Sequence, residues 1–415
     1  MLRLLNGCQR LLCQSSRLFT ILGIETSCDD TAVCIMNDRR EVLSAKTFTD
    51  RQSQLEKGGI CPGFVAQQHR DQLPRLLEEC FEEARTLPQD LTAIAVTTTP
   101  GLVVALKEGI KSAIELAKLH RKPLIPVHHM RAHALAAFAI SSELKFPFLA
   151  VLISGGHALF VIAKDVDDFK LIGQSRSGSP GECLDKIARE LKISEKAEFV
   201  GIHPGAAMEI LASRASPDGH LRYTIHGPST SSADMNFSQL KSNLLGMLKK
   251  LRDSPDFLLE DICATAQYQL ARHICSRLNV VFDGLESNGD LLKDLKHVVI
   301  GGGVASNRYI TNAISKLSQV YGLDSVLIPR RLCTDNAEMI ALTGLLKLEN
   351  RSSDIMSWSE IPGMIYAHAK SDIGEDVRDW LPEKPTKKLS GPSIHGDKPI
   401  YIYRKEDFKK EKVVA

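Results

Sequence analysis

Phe148-Leu149-Ala150-Val151-Leu152-Ile153-Ser154-Gly155-Gly156-His157-Ala158-Leu159-Phe160-Val161-Ile162-Ala163 consists of two apolar runs on either side of a small, polar tetrapeptide. Each run is short and bounded by turn residues, and the paired glycines permit a tight reversal, so the stretch predicts a β-hairpin. The same pattern occurs near the start of the chain. Ile21-Leu22-Gly23-Ile24 and Ala32-Val33-Cys34-Ile35-Met36 flank the acid-bearing turn Glu25-Thr26-Ser27-Cys28-Asp29-Asp30-Thr31. Each hairpin is followed later by a strand, a glycine-containing loop and a helix. In the first half these are Ala93-Ile94-Ala95-Val96, then Thr97-Thr98-Thr99-Pro100-Gly101, then the periodic segment 106–119. In the second half they are Val298-Val299-Ile300, then Gly301-Gly302-Gly303-Val304-Ala305-Ser306-Asn307, then 309–320. This doubling predicts two related α/β lobes whose polar turns face one cleft, where ligands bind.

The length of 415 residues suits two lobes, each with its own core, and 43% hydrophobic with 25% charged residues describes a soluble globular chain. A net charge of +2 neither implies nor excludes nucleic acid, because a local basic patch can sit within a balanced total. The ten cysteines form no C-x-x-C pair, which argues against a disulfide framework or a zinc ribbon and suits a reducing compartment. Residues 1–20 intersperse Arg3, Arg10 and Arg17 with leucines, Ser15 and Ser16, and contain no acid, as a mitochondrial transit peptide does. No uncharged apolar run approaches the roughly 20 residues of a membrane span, so no membrane association is expected. From about residue 371 the chain turns Lys- and Pro-rich, as in Lys384-Pro385-Thr386-Lys387-Lys388, and 371–415 reads as a basic, flexible tail.

The chemistry centres on Pro126-Val127-His128-His129-Met130-Arg131-Ala132-His133. Histidines four apart on a helix share one face, so His129 and His133 can present two imidazoles to one point. The alternative is an ordinary pair of half-exposed helix histidines. A divalent site needs a third ligand, and Asp335 in Thr334-Asp335-Asn336-Ala337-Glu338 stands at a strand-to-helix turn able to reach the cleft. Asp335 with Glu338 also reads as a capping box, and one residue can be both cap and ligand. Such a set holds one divalent ion per subunit, with zinc, iron and magnesium all compatible. Gly155-Gly156 and Gly301-Gly302-Gly303 let backbone N–H groups approach an anion, helped by the N-terminus of the helix after the second loop; tight turns are the alternative. Asp185, early in a helix, suits ribose hydroxyls as well as solvent, and Gly205 with Glu209 poses the same choice.

Taken together these segments resemble the universal tRNA N6-adenosine threonylcarbamoyltransferase family, and the leader resembles that of its mitochondrial branch. The resemblance runs from about residue 22 to 348, through Gly23-Ile24-Glu25-Thr26-Ser27-Cys28-Asp29-Asp30-Thr31, the His128–His133 stretch, Ser154-Gly155-Gly156-His157, Gly181-Glu182-Cys183-Leu184-Asp185-Lys186, Gly301-Gly302-Gly303-Val304-Ala305-Ser306-Asn307-Arg308 and Cys333-Thr334-Asp335-Asn336-Ala337. It implies a two-lobed actin-like, sugar-kinase-like fold: an N-terminal lobe at 21–147 completed by a helix at 336–349, and a C-terminal lobe at 148–335. It implies a metal on His129, His133 and Asp335. Substrate contacts would come from Leu152, Ile153, Ser154, Gly155, Gly156, Asp185, Gly205, Glu209, Ser306, Asn307 and Thr334, with Asp29 or Asp30 as candidate bases. The implied reaction moves a threonylcarbamoyl group from threonylcarbamoyl-adenylate, supplied by a separate synthase, to the N6 amine of the adenosine 3′ of the anticodon in tRNAs reading codons that begin with A. A homodimer is implied as well. Three positions depart from the family pattern: Arg131 stands where Glu is usual, Gly63 follows Pro62 where Glu is usual, and His203-Pro204-Gly205 replaces a Gly-Gly pair. An actin-like ATPase or kinase and a metalloprotease are the rival classes, and the second is disfavoured because Met130, not a glutamate, follows the first histidine.

Overall fold

A computed structural model describes residues 19–404 except 58, 229–231, 289–290, 383–385, 390–393, 397–399 and 401. Almost all of the expected leader, and the Lys-rich end 405–415, lie outside the described residues.

In the first sheet β1 (Thr20–Glu25) pairs antiparallel with β2 (Thr31–Asn37), and β2 antiparallel with β3 (Val42–Phe48). On its other side β1 runs parallel to β4 (Ala93–Thr99), which runs parallel to β5 (Leu124–His128). The order is therefore β3-β2-β1-β4-β5. In the second sheet β6 (Phe148–Ile153), β7 (Ala158–Ala163) and β8 (Phe169–Ser177) form the antiparallel meander, and the two-residue β9 (Met235–Asn236) runs beside β8. Parallel to β6 lies β10 (His297–Gly301), and parallel to β10 lies β11 (Asp324–Leu327). Read from its meander edge, the sheet is β8-β7-β6-β10-β11, with the same order and strand senses as the first. Two lobes of one topology make this the two-lobed actin-like α/β fold, and both hairpins stand where the sequence expects them.

Strand alternation separates two cores. Leu22, Ile24, Val33, Ile35, Ile94 and Val96 face helices Pro62–Ala84 and Val103–His120. Their neighbours Ile21, Ala32, Cys34, Met36, Ala93 and Ala95 face the other way, into the cluster that continues through the second lobe. What covers that second face is the helix Ala337–Asn350, although it follows β11 in the chain. The approach is close enough that a Cβ on Gly23 would meet the Ala337 carbonyl and the Ala341 amide at 2.5 Å. The chain thus finishes its second sheet, crosses the cleft, and completes the first lobe.

Beyond residue 371 the structure differs from the expected flexible tail. Glu375–Asp376 adds a short parallel strand beside β8, and Ile373, Val377, Ile394 and Ile400 are buried. Lys387–Leu389 pairs with Ile402–Arg404. Thr386 donates its amide and hydroxyl to the buried Asp283 carboxylate at 2.6 Å, and Arg378 forks onto Asp234 at 3.1 Å. Widely spaced isoleucines and backbone pairing leave no helical or alternating signature, which is why composition alone suggests a tail.

Candidate metal centre and adjoining pocket

Strand β5 delivers the chain to the cleft and the short helix His129–Leu135 starts there, so both histidines of its inner face are carried into the interior. His129 and His133 are buried, with their rings perpendicular and centroids 4.7 Å apart. Asp335 arrives from the crossing segment just ahead of the helix Ala337–Asn350. The two Nε2 atoms are 3.2 Å apart, and each lies 3.3 Å from Asp335 Oδ1. Three atoms so spaced can all lie about 2.1 Å from one point, the bond length such donors make to a divalent cation.

The expected capping box is not formed. Asn336, one residue later, caps the helix by accepting from the Met339 amide at 2.9 Å, and Glu338 pairs with Arg331. Asp335 is thereby left free of capping and turned toward the imidazoles.

Beneath His129 lies a residue the sequence reading did not assign. Glu25, fully buried at the end of β1, sets Oε2 3.1 Å from His129 Nδ1. The same oxygen accepts from Thr97 Oγ1 at 2.6 Å, and Oε1 accepts from the Ser27 amide at 2.5 Å. A carboxylate on Nδ1 fixes the tautomer that leaves Nε2 as a lone-pair donor. His133 Nδ1 has no such partner among the described residues.

Two carboxylates around two imidazoles form an anionic nest in which Glu25 and both histidines are buried and Asp335 is half-buried. Burial opposes the charge on Asp335, yet the His129 and His133 imidazoles outweigh it and hold this carboxyl well below its usual range. Burial likewise opposes protonation of His129, but Asp335 and Glu25 raise its pKa well above the ordinary histidine value. The field that favours positive charge on His129 would equally favour a divalent cation between the three donors. The donor set fits a metal.

Arg131, on the opposite side of the short helix, does not reach this nest. It donates to the carbonyls of Ile373 at 2.7 Å and Asp167 at 3.2 Å and lies over the Phe169 ring. The departure at this position therefore ties the lobes and the C-terminal segment together and leaves the ligand set untouched.

The acid-bearing turn after β1 is braced from behind. His69 bridges Thr31 Oγ1 at 2.7 Å and the Cys28 carbonyl at 2.9 Å, and Gln68 donates to the Asp29 carbonyl at 2.8 Å. Asp30 accepts from Thr49 Oγ1. Burial pushes its carboxyl up to about 6, against the pull of that hydrogen bond and of Arg51 and with the repulsion of Asp29 and Asp335.

Next to the nest a cavity of about 700 Å³ opens between the lobes. Gly155, Asp185, Gly205, Glu209, Ser306, Asn307 and Thr334 line it, seven of the residues expected to touch substrate. Leu152 and Ile153 are buried within β6, and Ser154 and Gly156 belong to the turn beside the cavity rather than to its lining. Ser154 Oγ accepts from the Gly156 and His157 amides at 3.3 and 3.0 Å, holding that turn closed. In the second loop Gly302 adopts φ +93°, and a Cβ there would meet the Ile153 carbonyl at 2.4 Å, so no other residue fits. The anion expected at the N-terminus of the following helix meets a terminus already served: Asn307 caps the Ile310 amide at 3.1 Å and Glu209 Oε1 accepts from the Arg308 amide at 2.8 Å. Gly205 is fixed by His203, whose Nδ1 accepts from its amide at 3.1 Å, so Pro204 opens that helix without displacing the glycine from the cavity.

The chain matches the family model described as tRNA N6-adenosine threonylcarbamoyltransferase over residues 41–342. It is 53% identical over 97% of its length, and 96% of the relative's, to a Caenorhabditis elegans protein named "Probable tRNA N6-adenosine threonylcarbamoyltransferase, mitochondrial". A Homo sapiens protein named "tRNA N6-adenosine threonylcarbamoyltransferase, mitochondrial" is 33% identical over 88% of this chain and 89% of its own. Among solved structures, T. kodakarensis HypF superposes with a TM-score of 0.50 at 16% identity, covering 81% of this chain and 49% of that one, a likeness of fold alone.

Proposed function

Because the chain belongs to the tRNA N6-adenosine threonylcarbamoyltransferase family, a group of tRNA-modifying acyltransferases, we propose that it moves the threonylcarbamoyl group of threonylcarbamoyl-adenylate onto the N6 amine of the adenosine 3′ of the anticodon, in mitochondrial tRNAs reading codons that begin with A. It is a mitochondrial enzyme, as its relatives are named. We assign its import to residues 1–20, its donor to a separate synthase, and its working form to a homodimer. Among the described residues no helix is long and apolar enough to cross a membrane.

The observation that carries the mechanism is the nest of His129, His133 and Asp335 at the edge of an interlobe cavity large enough for a nucleotide. A divalent ion held by those three side chains would supply Lewis-acid polarisation of a substrate oxygen. The chain's own residues do the remainder. The donor is a mixed anhydride whose carbonyl is already activated, so catalysis consists chiefly of orientation and charge neutralisation. Gly155 and the 302–306 loop border the phosphate, and Asp185 accepts from ribose hydroxyls. The N6 amine attacks the carbonyl carbon, a C–N bond forms as the C–O bond to phosphate breaks, and AMP departs with the bonding pair. The amine's proton passes to a carboxylate of the acid-bearing turn, Asp29 or Asp30, and burial raises the Asp30 carboxyl toward the range of a base working near neutral pH. The Asp29 carbonyl also anchors the brace behind that turn by accepting from Gln68 at 2.8 Å. No covalent enzyme intermediate is required.

Reconstitution with unmodified tRNA, threonine, bicarbonate, ATP and a donor synthase tests the reading, with threonylcarbamoyladenosine in the RNA as the expected product. Nucleotide hydrolysis without RNA modification would favour the actin-like ATPase or kinase, and peptide cleavage the metalloprotease.

A further inference from the structure

Three guanidinium groups stand on the cavity wall that the substrate assignment leaves unused: Arg51, Arg330 and Arg331. Arg331 is engaged with Glu338. Arg51 and Arg330 are exposed and form no ion pair or side-chain hydrogen bond among the described residues, although the Arg51 charge is close enough to draw the Asp30 carboxyl down. They come from opposite lobes. Arg51 opens the short helix Arg51–Glu56 after β3 in the first, and Arg330 opens Arg330–Cys333 immediately before Thr334 and Asp335.

A net charge of +2 creates no global field for a polyanion, so attraction must be local. The donor carries a single phosphate, which the proposed mechanism gives to Gly155 and the 302–306 loop. An RNA acceptor is different, because an adenine can enter the cavity only if its strand runs across the opening with a phosphate on each side. We propose that Arg51 and Arg330 are the two jaws of a phosphate clamp that grips the RNA strand on either side of the acceptor adenosine. This rests on reading the cavity as the transfer site. The clamp holds the strand by charge, and because one jaw belongs to each lobe, RNA binding and lobe closure favour one another. Both are positioning residues.

The test uses the full chain and an unmodified anticodon stem-loop RNA, with affinity followed by fluorescence anisotropy across a salt series. Arg51→Gln and Arg330→Gln should each weaken RNA binding about two- to fivefold. Each should also lower the slope of log affinity against log salt by about 0.7 to 0.9. Affinity for AMP, the nucleotide probe, should stay at the wild-type value. The double Arg51→Lys, Arg330→Lys variant should keep the wild-type slope, which a merely structural role would not predict. An unchanged slope in the glutamine variants overturns the clamp, as does a weakened AMP site with RNA affinity intact, which would place the two cations on the donor's phosphate. Wild-type protein that modifies tRNA while its glutamine variants bind RNA normally refutes the clamp alone; wild-type protein that fails to modify tRNA refutes the transferase reading instead.

Discussion

Replacing Glu25 with glutamine conserves shape but removes one negative charge and one acceptor from beneath His129. The carboxylate accepts three hydrogen bonds, from the Ser27 amide on Oε1 and from Thr97 Oγ1 and His129 Nδ1 on Oε2. A carboxamide cannot serve both sides. With its oxygen toward His129, its NH₂ faces the Ser27 N–H; turned over, the NH₂ faces Nδ1 and favours the tautomer carrying its proton on Nε2, where the ion belongs. The oxygen lies 3.1 Å from Nδ1, which puts an ion on the far nitrogen roughly 7 Å away. At that separation a unit charge and a divalent ion interact by about 5 kcal/mol at an effective dielectric of about 20, an upper bound. Losing a carboxylate that holds a ligating histidine usually costs 10–100-fold in metal affinity, about 1.4–2.7 kcal/mol, and Glu25→Gln is expected within that range. Competition with a chromophoric chelator measures the affinity, and a thermal melt of the metal-free protein separates it from unfolding. Wild-type metal affinity in a folded Glu25→Gln protein would refute the assigned role.

Asp335→Ala should abolish both metal binding and transfer yet leave the melting temperature within a few degrees of wild type, because Asn336 still caps the helix; unchanged metal stoichiometry counts decisively against the site. With Asp30 as the base, transfer should fall as pH drops through about 6, because it must be deprotonated to accept the amine's proton and burial has raised its carboxyl to that value. Asp30→Asn should slow the reaction and remove that acidic limb, and a rate profile with the limb intact points to another base. Deleting residues 1–20 should strand the protein in the cytosol, as fractionation would reveal; continued mitochondrial import refutes the leader.

The hairpins and the doubled strand-loop-helix units were legible because apolar runs and glycine turns are local signals, each contained in a dozen or so neighbouring residues. Asp335 was legible by position, as an acid at a strand-to-helix turn, but its supposed capping role was not the true one. Asp335 and Asn336 are both good caps, and only the backbone shows that the helix begins after the second. Glu25 could not be singled out, because an acid ending a short strand looks like any turn residue until β4 and the 129–135 helix fold against it. Arg51 and Arg330 were equally silent: each sits in an ordinary polar segment, and only tertiary structure brings them to the same opening. The C-terminal segment was misjudged because it adds single strands and isolated isoleucines to a surface built much earlier in the chain.

The crossing helix Ala337–Asn350 bears on how the protein is made. Until the ribosome has delivered it, the first sheet has one apolar side unclothed, with Ile21, Ala32, Cys34, Met36, Ala93 and Ala95 lacking their partner. The leading half of the chain therefore waits, sticky and incomplete, through most of translation, and in an imported protein through most of its passage into the organelle. A product cut short before residue 337 would lose more than its last segment: neither half would be a finished body, and such a fragment should be cleared by proteases rather than persist as an inactive enzyme.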